Sequence, residues 1–482
     1  MNLLEKAQQY EKLHTNSAGC RPVFHFSAPV GWLNDPNGLS VFRDEIHLFF
    51  QYNPYGKLWG SMHWGHAVTK GMIKWEYLPV ALAPDCTFDN RGCFSGSAVT
   101  YDGKHYIAYT GVSCVEDGAE SQSQCIAAGD GLHYHKESYN PVITAQLLPE
   151  KYSSSHFRDP KMWQDEDGLH MIVGCLDQNK EGHLAHFCST DMKHWHFEGM
   201  FLDHIPGLGR MWECPDFFSL QGQDVVIISP QDMAAQPPEI HNGNNSLYIL
   251  GTFERNKGEF VPYKTYALDY GLDFYAAQTV TLKDQRVILI AWMQSWDSLF
   301  IPEELSWAGM MTVPRELCIK NGRLYQSPVR ELEGYQSNQI RYSNIPVTER
   351  TVLPGIEGRV LDLTVELKLD GYRHFEIRFA EGESHYCSLH YDKIRGQLCF
   401  DRTFSGLVRD VACTREFSVS PVEGKLTIRI LLDNYSSEFF INGGKKTFTA
   451  TFYTDLSCNG ISFFSDGEAH MDVEKYNICV SY

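Results

Sequence analysis

The sequence predicts an all-β protein, a five-bladed β-propeller followed by a C-terminal antiparallel β-sandwich. Three observations lead there. A motif of polar turn followed by apolar strand recurs five times along the larger, N-terminal part of the chain. Helical periodicity is confined to the first residues. Beyond about residue 350 the repeat gives way to alternation of apolar and polar positions, the period of half-buried strands. The 482-residue length suits two domains. The boundaries read as 1–335 for the propeller with a short N-terminal helix, 336–350 for a linker and 351–482 for a sandwich of structural or accessory role.

Composition agrees and narrows the function. Aromatic residues make up 13% of the chain and hydrophobic residues 43%, which supplies large cores and favours strands. A formal charge of −19 argues against nucleic acid and an anionic membrane as partners and favours a neutral or cationic ligand, or an anionic one handled by a local basic patch. Leu3, Ala7 and Tyr10 share one face of a short amphipathic helix, which lacks the apolar core of a signal peptide. No later run is long enough to span a membrane. The 14 cysteines are scattered and form no CxxC pair, so free thiols in a reducing cytoplasm are expected.

The repeat is visible in DEIHLFFQ from Asp44, DGKHYIAYT from Asp102, DGLHMIVG from Asp167, GQDVVIISP from Gly222 and DQRVILIAW from Asp284. Its period of roughly 55 to 65 residues fits four short antiparallel strands per unit. Before each hairpin comes a segment that would be the innermost strand of its blade: NDPNGLSVF, CFSGSAVTY, RDPKMWQD, ECPDFFSL and LDFYAAQTV. Innermost strands surround the central channel. Asp35, Ser95, Asp159, Glu213 and Asp273 therefore read as corresponding residues converging on one funnel. MTVPREL and LYQSPVREL close the ring. In the sandwich, Leu361, Leu363, Val365 and Leu367, then Phe375, Ile377 and Phe379, then Leu426, Ile428 and Ile430 mark alternating strands, and nothing there gathers titratable groups.

Carboxylates facing one another across a pocket serve glycoside hydrolysis, where one attacks or stabilises the anomeric centre and one protonates the leaving oxygen. Glu213, between Trp212 and Cys214, reads as the acid whose proton is retained by poorly hydrating neighbours. Asp35, followed by Pro36 and flanked by Asn34, reads as the ionised nucleophile. Arg158 would keep Asp159 charged and offer a donor fork to hydroxyls, with Trp59 and Phe94 as apolar walls. The 20 histidines are dispersed and HEXXH is absent, so no metal is expected. FSGSA lacks the nucleophile elbow, and phosphate and dinucleotide fingerprints are missing, so no cofactor is implied.

WLNDPNG, FSGSA, RDP and WECPD, in this order, resemble glycoside hydrolase family 32, the invertases and fructan hydrolases, from about Pro22 to the C-terminus. The resemblance implies Asp35 as nucleophile, Glu213 as general acid/base and Asp159 as transition-state stabiliser. It places Asn34, Gln51, Trp59, Phe94, Ser95 and Arg158 in a fructose subsite. It implies a retaining β-fructofuranosidase acting on sucrose, sucrose 6-phosphate or short fructans, with the Asp35 and Glu213 carboxyl groups roughly 5 to 5.5 Å apart. MHWGHAVTK and ALAPD look most like the bacterial sucrose-6-phosphate hydrolase branch, whereas Ala277 stands where that family's pattern has proline. Lys57, Arg91 and rim histidines are the candidates for a 6-phosphate. A fructosyltransferase on the same scaffold and a non-catalytic sugar-binding propeller are the alternative readings.

Overall fold

The computed structural model describes residues 1–15, 21–114, 118–369, 371–406 and 411–481. Asn2 caps the N-terminal helix, Leu3–His14, in a reciprocal capping box with Glu5, and Gln8 ties the helix to Val80. Five sheets follow. The first blade holds Gly31–Phe42, Glu45–Asn53, His63–Thr69 and Glu76–Leu82, and the second Gly92–Tyr101, Lys104–Cys114, Glu120–Gly129 and Tyr134–Lys136. The third holds Tyr152–Asp165, Gly168–Asp177, Gly182–Ser189 and His196–Leu202, and the fourth Trp212–Leu220, Gln223–Pro230, Leu247–Glu254 and Glu259–Ala267. The fifth is built from Tyr275–Thr281, Val287–Met293, Arg315–Lys320 and Arg323–Pro328. The first strands of successive blades touch in order, and the fifth touches the first, so they form a closed ring. The fold is a five-bladed β-propeller joined to a β-sandwich.

The repeated motif is the hairpin between first and second strands. Arg43-Asp44, Asp102-Gly103 and Gln221-Gly222 take positive φ at both turn positions, the twist-matched geometry that two-residue hairpins require. The sheets pack face to face through separate apolar clusters, one between each pair of neighbouring blades. The cluster between the fifth and first blades also takes in Phe24, Phe26 and, from the sandwich, Leu431 and Phe440. The ring closes here: Trp307–Ala308 runs parallel to Gly31 and Trp32, while Met310–Met311 pairs with the fifth blade.

Every innermost strand carries a β-bulge at the same height. One extra residue enters between Leu33 and Pro36, Phe94 and Gly96, Arg158 and Lys161, Glu213 and Asp216, and Tyr275 and Gln278. Asp159, Cys214 and Ala276 have positive φ at these bulges, which re-aim a side chain that regular pleating would point elsewhere.

The stretch expected to be a linker, 336–350, is largely strand. Gln336–Val347 pairs with Ala469–Ile478 at the edge of the six-stranded sandwich sheet. Its polar sequence misled because an edge strand buries little of either face. The alternating residues of the sandwich are buried as expected, between this sheet and a five-stranded one. The expectation that the sandwich gathers no titratable groups is overturned, because Asp433 and Glu438 are fully buried against the propeller. His25 bonds to both at 2.8 Å, and Arg315 of the fifth blade pairs with Glu438 and with Asp269. The alternation pattern shows the apolar face alone; Glu438 points the other way, into the junction.

Candidate active site

Asn34, Asp35, Gln51, Trp59, Phe94, Ser95, Arg158, Asp159 and Glu213 line one cavity of about 580 Å³ at the centre of the ring. The bulges explain the convergence. Asn34 and Asp35 lie opposite the single residue Gln51 in the pairing of the first blade, and Ser95 is the inserted residue of the second. Asp159 and Cys214 are the corresponding positions of the third and fourth.

Asp35 Oδ2 accepts from Ser95 Oγ at 2.6 Å and faces Cys214 Sγ at 3.6 Å. Its second oxygen, Oδ1, is buried and has no hydrogen-bond partner among the described residues. Asp159 Oδ2 accepts from the Cys214 amide at 2.9 Å and faces the same thiol at 3.7 Å. Cys214 thus stands between two carboxylates, a bridging position that the EC dipeptide did not reveal. Glu213 is gripped differently. Arg158 Nε and Nη2 donate to its Oε1 at 3.1 and 2.8 Å, and the Tyr275 hydroxyl donates to Oε2 at 2.7 Å.

Three sequence expectations change. Arg158 presents its fork to Glu213, not to Asp159. Trp212 does not wall Glu213: adjacent strand residues point to opposite faces, and the indole is fully buried in a blade core with Nε1 donating to Leu208 at 2.8 Å. Asp273 does not enter the funnel. It precedes its strand by two residues and is buried at the sandwich junction, where it accepts from Ser298, Arg402 and Thr451. The fifth blade contributes Tyr275 instead, the residue just before the bulge, at the same register as Arg158 and Glu213.

The electrostatics also depart from expectation. Burial, and after it the charge of Glu213 against the opposing Ser95 hydrogen bond, pushes the Asp35 carboxyl up to about 6. Burial likewise lifts Asp159 to about 7, with Arg158 opposing and Glu213 adding to the rise. Burial holds the Tyr275 phenol well above its ordinary value, so it stays a donor.

Trp59 is half-exposed and meets Phe94 edge to face at 5.8 Å, forming an apolar wall. Glu120, Gln122, Ser155, His156, Gln231, Asp232, Asn244 and Trp296 complete the lining. They lie on strand ends and on loops outside the repeat, where periodicity carries no signal. Among the described residues, three groups could gather round a cation: His170 with His186 and Cys188, Asp85 with Cys86 and Asp89, and Asp177 with Glu181 and His183. None of them lines this cavity.

A channel mouth where buried carboxylates face an apolar wall defines a glycoside hydrolase. Residues 25–328 match the model of the glycosyl hydrolases family 32 N-terminal domain and 331–479 that of the family 32 C-terminal domain, and the chain belongs to this family. It is 34% identical to a sucrose-6-phosphate hydrolase of Zymomonas mobilis, over 98% of this chain and 94% of the other. It is 35% identical to a raffinose invertase of Escherichia coli, over 94% of this chain and 92% of the other. A solved sucrose-6-phosphate hydrolase from Lactobacillus gasseri superposes with a TM-score of 0.87 at 27% identity, covering 99% of this chain and 96% of that one. Among the described residues no helix is long and apolar enough to cross a membrane.

Proposed function

We propose that the protein is a retaining β-fructofuranosidase that cleaves sucrose-type substrates through a fructosyl-enzyme ester. Asp35 is the nucleophile, Glu213 the general acid and then base, and Asp159 the group that binds fructose hydroxyls as charge develops on the ring. The carrying observation is the convergence of Asp35, Asp159 and Glu213 on one cavity at matching bulges, with Asp35 Oδ1 accepting no hydrogen bond among the described residues. A nucleophile needs such an oxygen. Ser95 orients the other one.

In the first step Asp35 Oδ1 attacks the anomeric carbon while Glu213 gives its proton to the glycosidic oxygen, and the aldose leaves. In the second, Glu213 takes a proton from water, which attacks the same carbon and frees Asp35. Tyr275 and Arg158 fix the Glu213 carboxyl in place. Asn34, Gln51 and Ser95 supply polar contacts around the fructose unit, and Trp59 and Phe94 its apolar wall. The scattered free thiols fit a cytoplasmic enzyme.

Sucrose hydrolysis by Asp35→Ala tests the reading. Turnover should fall by about 10³-fold or more with the circular-dichroism spectrum unchanged. Wild-type-like activity in that variant would sink the mechanism.

A further inference from the structure

The cavity that holds Asp35 is lined by five carboxylates, Asp35, Glu120, Asp159, Glu213 and Asp232, and by one guanidinium, Arg158. Arg158 is already committed, since two of its nitrogens lie on Glu213. His156 adds no positive charge near neutrality, because burial and then the neighbouring Arg158 push its imidazole below the ordinary value. Neither Lys57 nor Arg91 lines the cavity. Lys57 donates to the carbonyls of Pro302 and Glu303 at 3.1 and 2.9 Å, and Arg91 Nε lies 3.2 Å from Cys114 Sγ.

The acidic residues are arranged in depth. Asp35 and Asp159 occupy the floor, where their environment holds them in place. Glu120 and Asp232 are exposed and border the open side, where the aldose half of a disaccharide would lie with its fructose at Asp35. Among the described residues the Glu120 carboxylate accepts from the Gln122 amide alone, at 3.0 Å. Asp232 has one loose partner outside the lining, Arg210 at 3.7 Å, with both side chains more than half exposed. Such a pair neutralises little. A further acid, Asp297, holds the lining residue Asn244 through its amide at 2.5 Å.

Resting on the β-fructofuranosidase reading, we propose that this site selects uncharged disaccharides over esters phosphorylated on the aldose, with Glu120 and Asp232 setting the preference. A phosphate dianion on the outer sugar would approach these carboxylates and find, among the described residues, no lysine or arginine of the lining but the committed Arg158; Lys180, whose charge reaches His156, stands outside the lining. Discrimination of this kind is built by repulsion of the wrong ligand as much as by attraction of the right one. The repulsion acts across an open, hydrated mouth, so salt screens it over about 10 Å at 0.1 M. Relatives named for the phosphate ester share the fold, but the lining of this funnel is suited to sucrose itself.

The experiment compares kcat/KM on sucrose and on sucrose 6-phosphate, at low and high salt, for the wild type and for the double variant Glu120→Gln, Asp232→Asn. The wild type should favour sucrose by about tenfold or more, and salt should narrow the gap. The double variant should move the ratio by roughly threefold or more toward the phosphate ester. A wild type that uses the ester as well as or better than sucrose overturns the preference and leaves the β-fructofuranosidase reading standing. Hydrolysis of neither substrate overturns that reading and the preference with it. A gap that neither salt nor the double variant moves overturns the assignment to these two carboxylates.

Discussion

Asp35 is asked to do two opposed things, to be buried and to be charged. Its carboxyl is raised from 3.8 to about 6 by burial first, so the protonated form is favoured in the folded chain. As pH rises from about 4 through 6, the folded state loses stability relative to the unfolded one, because the buried group must ionise. Asp35→Asn should therefore raise the melting temperature at pH 7 by an amount corresponding to about 1 kcal/mol while abolishing turnover, measurable by calorimetry beside an activity assay. Catalysis has the reverse dependence, since the attacking group must be ionised. The acid limb of kcat/KM should lie near pH 6 to 7 and survive in the residual activity of Glu213→Gln. An acid limb near 4 would contradict the assignment. Tyr275→Phe should lower kcat by about tenfold with a smaller change in KM, because it releases one oxygen of Glu213 without emptying the sugar site.

The residues legible in the sequence were those whose chemistry is borne on the repeat itself. Asp35 and Asp159 immediately precede a proline and Glu213 precedes one by two residues, each at the entry of an apolar run, and the five stacked segments bring them together. Cys214 and Tyr275 were missed because a thiol and a phenol read as ordinary core. Asp273 is the polar residue nearest the fifth segment's strand in sequence, but strand pairing puts Tyr275, two residues on, at the height of Arg158 and Glu213.

At the scale of the strand, the bulge is what converts a repeat into a site. Without the inserted residue, Asp35 and its neighbours would alternate regularly, and one of each pair would face a blade core. The closure strand guards this geometry. Gly309 has φ +93° and a Cβ placed there would lie 1.9 Å from the Leu33 carbonyl, one residue before the Asn34–Asp35 bulge. Gly309→Ala should cost about 3 kcal/mol of stability and should reduce activity in the fraction that folds, tested by thermal unfolding and specific activity together. Hairpin turns and blade strands were visible in sequence because local residues dictate them. The short pieces Trp307–Ala308 and Met310–Met311 were not, since their pairing partners lie far away in the chain and no local pattern marks them.

Across the whole molecule, the junction of the two halves is charged and buried. Burial alone would lower the His25 imidazole, yet hydrogen bonds to Asp433 and Glu438 carry it to about 9. Because the folded value lies above the unfolded one near 6.5, this contribution to stability is complete below about pH 6.5 and lost as pH rises through 9. The melting temperature should fall between pH 7 and 9.5, and His25→Gln should flatten that fall. Glu438→Ala, which leaves buried Arg315 and His25 each with one carboxylate fewer, should cost about 3 kcal/mol by denaturant unfolding. These groups escaped the sequence reading because each sits singly in an ordinary strand, and only the packing of distant segments assembles them.

Asp433 also accepts from the backbone amides of Val23, Phe24 and His25, and Glu438 from that of Val313. The sandwich therefore clamps both ends of the propeller ring at its seam. On the ribosome the five blades emerge long before residues 433 and 438 do. The first and fifth blades meet through propeller residues alone, so the two sandwich carboxylates lock a seam that the blades themselves draw together.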